Sequence, residues 1–235
     1  MLFRSALHYL HSPPPDAAQQ LLEDRRHPCQ IRLAFEELLA HNLALQLSRG
    51  RNLSLGAPDL SRGTAQAEAF ISSLPFKLTA AQQRVRAEIL QDLSRETPML
   101  RLVQGDVGSG KTVIAATAAL QAVASGYQVA IMAPTEILSQ QHLSTFSEWF
   151  SDSPIKIEML SGKLKAGLRR ELLARLASGD IDLLIGTHAL FQDIVEFSRL
   201  GLVVVDEQHR FGVHQRLALT QKVHPEYGKI GRAHV

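Results

Sequence analysis

From residue 74 onward, short apolar runs alternate with longer amphipathic stretches, and this alternation limits the possible folds more than any other feature of the chain. The apolar runs are 99–103, 128–133, 155–160, 181–185 and 200–205. The stretches with helical spacing are 79–95, 111–125, 136–150, 165–178 and 188–195. Short buried strands separated by helices pair in parallel and carry helices on both faces. The sequence therefore predicts an α/β fold with a parallel sheet flanked by helices.

Residues 6–74 differ in composition from the rest of the chain. They are rich in Leu, Ala, Gln, His and Arg and contain no runs of β-branched residues. Apolar residues recur at helical spacing between 29 and 49, which predicts a long amphipathic helix that ends near Gly50. Residues 56–63 contain two glycines and a proline and predict a connector before a short helix at 64–73. We expect residues 6–74 to form a helical linker and residues 75–229 to form the domain with the sheet.

Composition is that of a globular protein, with 45% hydrophobic and 20% charged residues. The 25 Lys and Arg residues nearly balance the 23 Asp and Glu residues, which argues against binding through bulk positive charge. A single cysteine, Cys29, excludes an intramolecular disulfide and a cysteine-based metal cluster. No apolar run reaches the roughly 18 residues of a membrane span. We therefore expect a cytoplasmic protein with no membrane partner.

The two ends of the chain look foreign to the rest. One DNA sequence, read on opposite strands, can encode both Leu2–Ser5 and Ile230–Val235, and that sequence resembles a common sequencing adapter. We expect residues 1–5 and 230–235 to be adapter-derived, and we exclude them from fold predictions.

A phosphate-binding pattern, G-x-x-x-x-G-K-[ST], lies between a predicted strand and a predicted helix. The residues expected to hold phosphates are Gly105, Gly108, Ser109, Gly110, Lys111 and Thr112. Glycines let backbone N–H groups and the helix N-terminus face phosphate oxygens. Lys111 is suited to neutralise the β and γ phosphates, and the Thr112 hydroxyl is suited to ligate Mg²⁺.

A second predicted strand, 202–205, runs directly into the carboxylates Asp206 and Glu207. Asp206 is suited to hold Mg²⁺, and Glu207 is suited to orient or deprotonate an attacking water. Both motifs follow parallel strands, so we expect them to meet at the same edge of the sheet. The predicted catalytic residues are Lys111, Asp206 and Glu207. Gln208 and His209 lie where a sensor of the γ-phosphate could contact the nucleic-acid-binding part, and His209 is included among the predicted nucleotide-binding residues.

The nucleotide is indicated by elimination. Guanine-specific proteins with this phosphate loop usually carry Asn-Lys-x-Asp after it, whereas the only asparagines here, Asn42 and Asn52, precede it. The predicted cofactors are therefore ATP and Mg²⁺.

Four segments in this order resemble the bacterial RecG branched-DNA helicases of superfamily 2: 102–112, 132–136, 186–190 and 206–216. Residues 74–82 are similar to the family's adenine-recognition segment. The Pro-rich start and residues 32–39 are similar to its helical linker between the wedge domain and the motor. The resemblance spans residues 6 to about 222. It implies a RecA-like P-loop NTPase domain at 75–229, preceded by the linker.

The resemblance also implies roles for individual residues. Gln82 would read the adenine edge through its amide, and Phe76 would stack on the base or pack in the core. The residues implied to contact the DNA backbone are Pro134, Thr135, Glu136, Gly186, Thr187 and His188. Threonine also serves as an N-cap residue, so Thr135 and Thr187 could cap helices without binding any ligand.

The resemblance implies a monomeric ATP-dependent motor that remodels stalled replication forks and Holliday junctions in recombination and repair. It also implies a location in the bacterial cytoplasm, associated with the nucleoid. In this family ATP is closed between two RecA-like domains, and a wedge domain splits the strands. The sequence lacks the second motor domain and the wedge, so we expect this chain alone to bind ATP weakly and not to unwind DNA.

Two alternatives remain open. The transcription-repair coupling translocases have a similar phosphate loop and a similar Arg-Phe-Gly-Val after the acidic pair, although residues 108–110 and Gln208 favour the RecG type. The other alternative is a non-catalytic nucleic-acid-binding module derived from a motor. The joint presence of Lys111, Asp206 and Glu207 argues against that module.

Overall fold

The computed structural model describes residues 3–53, 56–106, 108–192, 194–207 and 232–234. The helices are α1 (Phe3–His11), α2 (Gln19–Glu23), α3 (Pro28–Leu53), α4 (Thr64–Ser73), α5 (Ala80–Leu93), α6 (Lys111–Ala124), α7 (Glu136–Trp149) and α8 (Ala166–Ala177), with 3₁₀ helices at Ser61–Gly63 and His188–Phe191. The strands are β1 (Leu100–Leu102), β2 (Gln128–Met132), β3 (Ile157–Leu160), β4 (Leu183–Gly186), β5 (Leu200–Val205) and β6 (Arg232–His234). Contacts group the chain into two units, Met1–Asn52 and Leu53–Val235.

The first unit contains the long helix that the sequence predicts, but the predicted stop near Gly50 is wrong. The helix α3 continues through this glycine to Leu53. One glycine lowers helix stability by about 1 kcal/mol relative to alanine, which does not end a helix by itself. The large apolar side chains exposed along α3 are Ile31, Phe35, Leu38, Leu39, Leu43 and Leu47.

No helix in the described part of the chain is long and apolar enough to cross a membrane.

The sheet of the second unit has six strands in the order β1-β6-β5-β2-β4-β3, and every pair is parallel, as predicted. The strand β2 pairs on both sides, with Met132 opposite Gly186 of β4 and Val205 of β5. Leu160 of β3 also lies opposite Gly186. The carboxyl ends of these strands are therefore level at one edge, and the N–H of Asp206 donates to the carbonyl of Met132 at 2.8 Å.

The strand β6 lies within residues 230–235, which we expected to be adapter-derived and left out of the fold predictions. Arg232–His234 lie between β1 and β5 and pair in parallel with both. The ladder of a sheet is made by backbone groups, so a three-residue strand needs no particular side chains to occupy this position. At the other end of the chain, residues 3–5 form the start of α1.

Alternate residues of the strands pack on opposite faces of the sheet, and helices cover both faces, as predicted. On one face, Val129 and Ile131 of β2 pack in a cluster with residues of α4, α5, α6 and α7. On the other face, Ala130 and Met132 pack in a cluster with α8 and the 3₁₀ helix His188–Phe191. The segment at 188–195 is thus shorter and more tightly wound than the helix that the sequence predicts there.

The segment before α4 packs on the C-terminal end of α6. The N–H of Gly63 donates to Ser125 Oγ at 3.0 Å, and this hydroxyl donates to the carbonyl of Leu60 at 2.7 Å. A Cβ on Gly63 would lie 2.0 Å from the carbonyl oxygen of Gln121. Residues after 52 are consequently grouped with the sheet, whereas the sequence placed the domain boundary at residue 74.

Charged residues on both outer strands are paired with neighbouring helices. Arg101 of β1 donates to Glu88 and Asp92 of α5, at 2.6 and 2.5 Å. Glu158 of β3 accepts from Arg175 of α8 at 2.7 Å. Such half-exposed pairs add little to stability, but they fix the direction of the side chains.

A buried glutamine closes the amino-terminal side of the sheet. The side chain of Gln128 donates to the carbonyls of Leu176 and Ile181, at 3.0 and 2.7 Å, and accepts from the N–H of Arg199 at 2.9 Å. It therefore joins the end of α8 to the segments that lead into β4 and β5.

We expect Gln128→Met to lower the free energy of unfolding by about 3 kcal/mol, because it leaves buried carbonyl and N–H groups without partners. Gln121→Met is the matched control, since Gln121 is also buried but makes only two 3.3 Å contacts from Nε2. Its Oε1 has no hydrogen-bond partner among the described residues. Urea unfolding measures both variants, and an equal loss in the two would contradict this account.

Candidate active site

The phosphate loop joins β1 to α6 in the conformation that its glycines allow. Gly108 and Gly110 have φ values of +81° and +83°, in the left-handed region that favours glycine. Gly110 is the N-cap of α6, so the positive end of this helix lies at the loop. The Nζ of Lys111 donates to the carbonyls of Gly105 and Asp106, at 2.8 and 3.0 Å.

A cavity of about 200 Å³ brings the loop together with the end of β5. Its lining comprises Gly108, Gly110, Lys111, Thr112, Ala115, Ile131, His142, Phe146, Val204 and Asp206. The two predicted metal ligands, Thr112 and Asp206, therefore share one cavity with the predicted phosphate-binding Lys111. A hydroxyl and a carboxylate are oxygen donors of the kind that Mg²⁺ prefers, so these residues fit the ion.

One cavity residue, His142 of α7, was not singled out by the sequence motifs. Its Nε2 lies 2.9 Å from Oδ2 of Asp206, and the two side chains are 14% and 20% exposed. The available signal was its position two turns into a helix that begins at the same edge of the sheet.

The backbone of Glu207 is in the left-handed region, with φ of 52°. This conformation costs a residue with a Cβ roughly 1–2 kcal/mol. Residues in such conformations cluster at functional sites, where the surrounding structure holds them. The strain thus coincides with the residue predicted to orient the attacking water. The predicted sensor, His209, lies outside the described residues.

Of the two residues implied to contact adenine, Gln82 lies against the phosphate loop. Gln82 Nε2 donates to the carbonyl of Ser109 at 2.8 Å, and its Oε1 accepts from the N–H of Thr79 at 2.7 Å. Gln82 is therefore part of a capping box with Thr79, and the Thr-x-x-Gln spacing carried that signal. The amide keeps a second N–H and a second lone pair for a base. Phe76 is 47% exposed, so it does not pack in the core.

The segment after β2 is capped by Thr135 and anchored by Glu136. Thr135 Oγ1 accepts from the N–H of Leu138 at 3.2 Å, which makes it the N-cap of α7. Glu136 accepts from Ser161 Oγ at 2.8 Å and from the N–H of Gly162 at 3.0 Å, and it pairs with Lys163 at 3.1 Å. These contacts, the Ser161 hydroxyl first, hold the pKa of Glu136 below its usual value. Glu136 thus fixes the loop after β3.

The segment after β4 approaches β3 closely. A Cβ on Gly186 would lie 3.0 Å from the carbonyl oxygen of Leu160, so little space exists for a side chain. Thr187 is buried and makes no side-chain capping hydrogen bond, unlike Thr135. His188 is exposed at the same edge. The two predicted DNA-contacting segments, 134–136 and 186–188, therefore follow neighbouring strands.

A family model described as DEAD/DEAH box helicase matches residues 79–227. The chain belongs to this family. Curated relatives of the helicase chain include the ATP-dependent DNA helicases RecG of Pasteurella multocida, Haemophilus influenzae and Escherichia coli K12, which are 54%, 52% and 50% identical. Their matches cover 93%, 93% and 94% of this chain. The chain spans 32% of the length of each of these relatives.

Solved structures agree with the fold of the helicase chain. RecG bound to a three-way DNA junction matches with a TM-score of 0.76 and 42% identity, covering 86% of this chain and 27% of that one. A hypothetical ATP-dependent RNA helicase from Sulfolobus tokodaii matches with a TM-score of 0.54 and 20% identity, covering 72% of this chain and 50% of that one. The second match concerns the fold alone. The predicted RecA-like helicase fold is confirmed.

Substitutions at Glu207 test its backbone strain. We expect Glu207→Gly to have a free energy of unfolding about 1 kcal/mol higher than Glu207→Ala, because only glycine adopts the left-handed region freely. At Glu171, exposed within α8, the order should reverse, since alanine favours a helix over glycine by about 1 kcal/mol. Thermal and urea unfolding of the four variants measure both differences. The same order at both positions would contradict a strained Glu207.

Proposed function

We propose that the chain is the first motor domain of a RecG-type ATP-dependent DNA helicase, which couples ATP hydrolysis to the remodelling of branched DNA such as stalled forks and Holliday junctions. The observation that carries this proposal is the single cavity that contains Lys111, Thr112 and Asp206. The identity of 50–54% to RecG helicases over nearly the whole chain supports it.

In this proposal each residue of the cavity has a separate role in the transfer of the γ-phosphate to water. Lys111 and the N–H groups of the loop hold the phosphates, and Thr112 and Asp206 hold Mg²⁺. An ion held by these two residues would supply positive charge next to the phosphate oxygens. Glu207 orients the water and accepts its proton. Lys111 exchanges its bonds to loop carbonyls for bonds to phosphate oxygens.

The order of the strands supports a division of the sheet edge between nucleotide and DNA. The nucleotide residues follow β1 and β5, whereas segments 134–136 and 186–188 follow β2 and β4. We propose that Pro134, Thr135, Gly186, Thr187 and His188 contact the DNA backbone. Glu136 contributes by holding a loop rather than by touching a phosphate, because two negative groups repel each other.

A residue that the sequence analysis did not single out fits the same role. Lys163 follows β3, the strand next to β4, and its side chain is 87% exposed. The pair with Glu136 places this ammonium group at the edge where the DNA segments lie. We propose that Lys163 neutralises a DNA phosphate there.

The remaining features of the proposal come from the relatives. RecG has been solved on a three-way junction, and we propose branched DNA as the partner of this chain, within a monomeric motor. We also propose a cytoplasmic, nucleoid-associated location. The relatives described above all carry the RecG name, so the transcription-repair coupling alternative is not favoured.

Lys111→Ala tests nucleotide binding. We expect the variant to bind a fluorescent ATP analogue at least about tenfold more weakly, because a charge-assisted hydrogen bond to phosphate is lost. Lys156→Ala is the control, since this lysine pairs with Asp180 just before β3, at the opposite end of that strand from Lys163. Fluorescence titration measures both. Undiminished binding by Lys111→Ala would instead favour a non-catalytic module.

Lys163→Ala tests the DNA edge. With a labelled three-way junction, we expect weaker binding and a slope of log affinity against log salt that is smaller by about one. Lys156→Ala removes the same charge from the other end of β3 and should leave the slope unchanged. Anisotropy titrations at several salt concentrations give the slopes. Equal changes in the two variants would show that only total charge matters.

A further inference from the structure

Asp206 is held from two directions by two different elements. Its backbone N–H donates to Met132 of β2, and its Oδ2 lies 2.9 Å from His142 of α7. A carboxylate oxygen can only accept, so His142 Nε2 carries the hydrogen and donates. One oxygen of the carboxylate, Oδ1, is left outside this bond. The bond therefore fixes which oxygen of Asp206 faces the rest of the cavity.

The imidazole is itself fixed by packing. Its ring meets the ring of Phe146 edge to face, with centroids 6.3 Å apart. Phe146 is 1% exposed and belongs to the core cluster on that face of the sheet. A donor whose position is set by a buried aromatic one turn further along α7 is preorganised for its acceptor.

The helix that carries His142 begins among the residues assigned to DNA. Thr135 caps α7, and Glu136 in its first turn holds the loop with Lys163. Glu136 and His142 are separated by about 9 Å along the helix axis, at 1.5 Å per residue. One rigid element thus contacts both the DNA side of the edge and the carboxylate of the nucleotide side.

We propose that His142 is a positioning residue for the metal-holding carboxylate of Asp206. The inference rests on the proposed function, in which Asp206 holds Mg²⁺ next to the nucleotide. In this role His142 acts through Asp206, with which its Nε2 is in contact. It acts by keeping the Asp206 carboxylate in one orientation, as hydrogen bonds to metal-ligating carboxylates do.

The test measures how the binding of a fluorescent ATP analogue by this chain depends on the Mg²⁺ concentration. In His142→Leu the Mg²⁺ concentration at half-maximal effect should rise about tenfold. Analogue binding in EDTA should not change, because Asp206 is needed only for the ion. His142→Gln should restore most of the wild-type requirement, since its amide nitrogen can donate from nearly the same place. Gln141→Leu, exposed on the same helix, is the matched control.

Each result separates the inference from the proposed function. A wild-type Mg²⁺ requirement in His142→Leu, with wild-type nucleotide binding, would overturn the inference alone. An equal loss in EDTA, or no recovery in His142→Gln, would show a general packing role and would also overturn it. If nucleotide binding by the wild-type chain does not depend on Mg²⁺, and Lys111→Ala binds the nucleotide as well as the wild-type chain does, the inference and the proposed function are both overturned.

Discussion

The parallel pairing of β2 with β4 on one side and β5 on the other is the constraint on which the site depends. Parallel strands in register bring the residues that follow them to the same edge, whatever their separation in the chain. Asp206 meets a helix that begins at residue 136 only because β5 and β2 are neighbours. Gln128 locks the opposite end of the same strands through backbone groups. A fixed register therefore sets the geometry of the cavity.

Much of the fold followed from periodicity. Apolar runs and helical spacing predicted five parallel strands and most of the helices, and α4 has the predicted bounds of 64–73. Local sequence signals were insufficient where the signal was weak or where tertiary contacts determine the structure. Gly50 did not end α3, since a weak propensity effect was the only signal for a stop. The packing of α4 on α6 is a tertiary contact that no local pattern encodes.

The residues of the candidate site also fall into those that a local motif predicts and those that tertiary contacts place. Phosphate-loop residues and Asp206 were predictable because each lies in a contiguous motif with a mechanical reason for its spacing. The contacts of His142 with Asp206 and of Lys163 with Glu136 were not predictable, because tertiary structure forms them. The Thr-x-x-Gln pattern at 79–82 gave a local reason for Gln82, in addition to any contact with a base. Motifs therefore predict candidate reacting groups, and tertiary contacts show which side chains lie next to them.

The ion pairs on the outer strands have a consequence for solubility. A strand at the end of a sheet exposes unpaired backbone groups and can recruit a strand from another molecule. Here β1 and β3 are the outermost of the described strands, and each carries a charged residue, Arg101 or Glu158, that a helix holds in place. A second chain that added a strand at either edge would have to bury or displace these charges. The pairs thus oppose edge-to-edge aggregation, although they contribute little to folding.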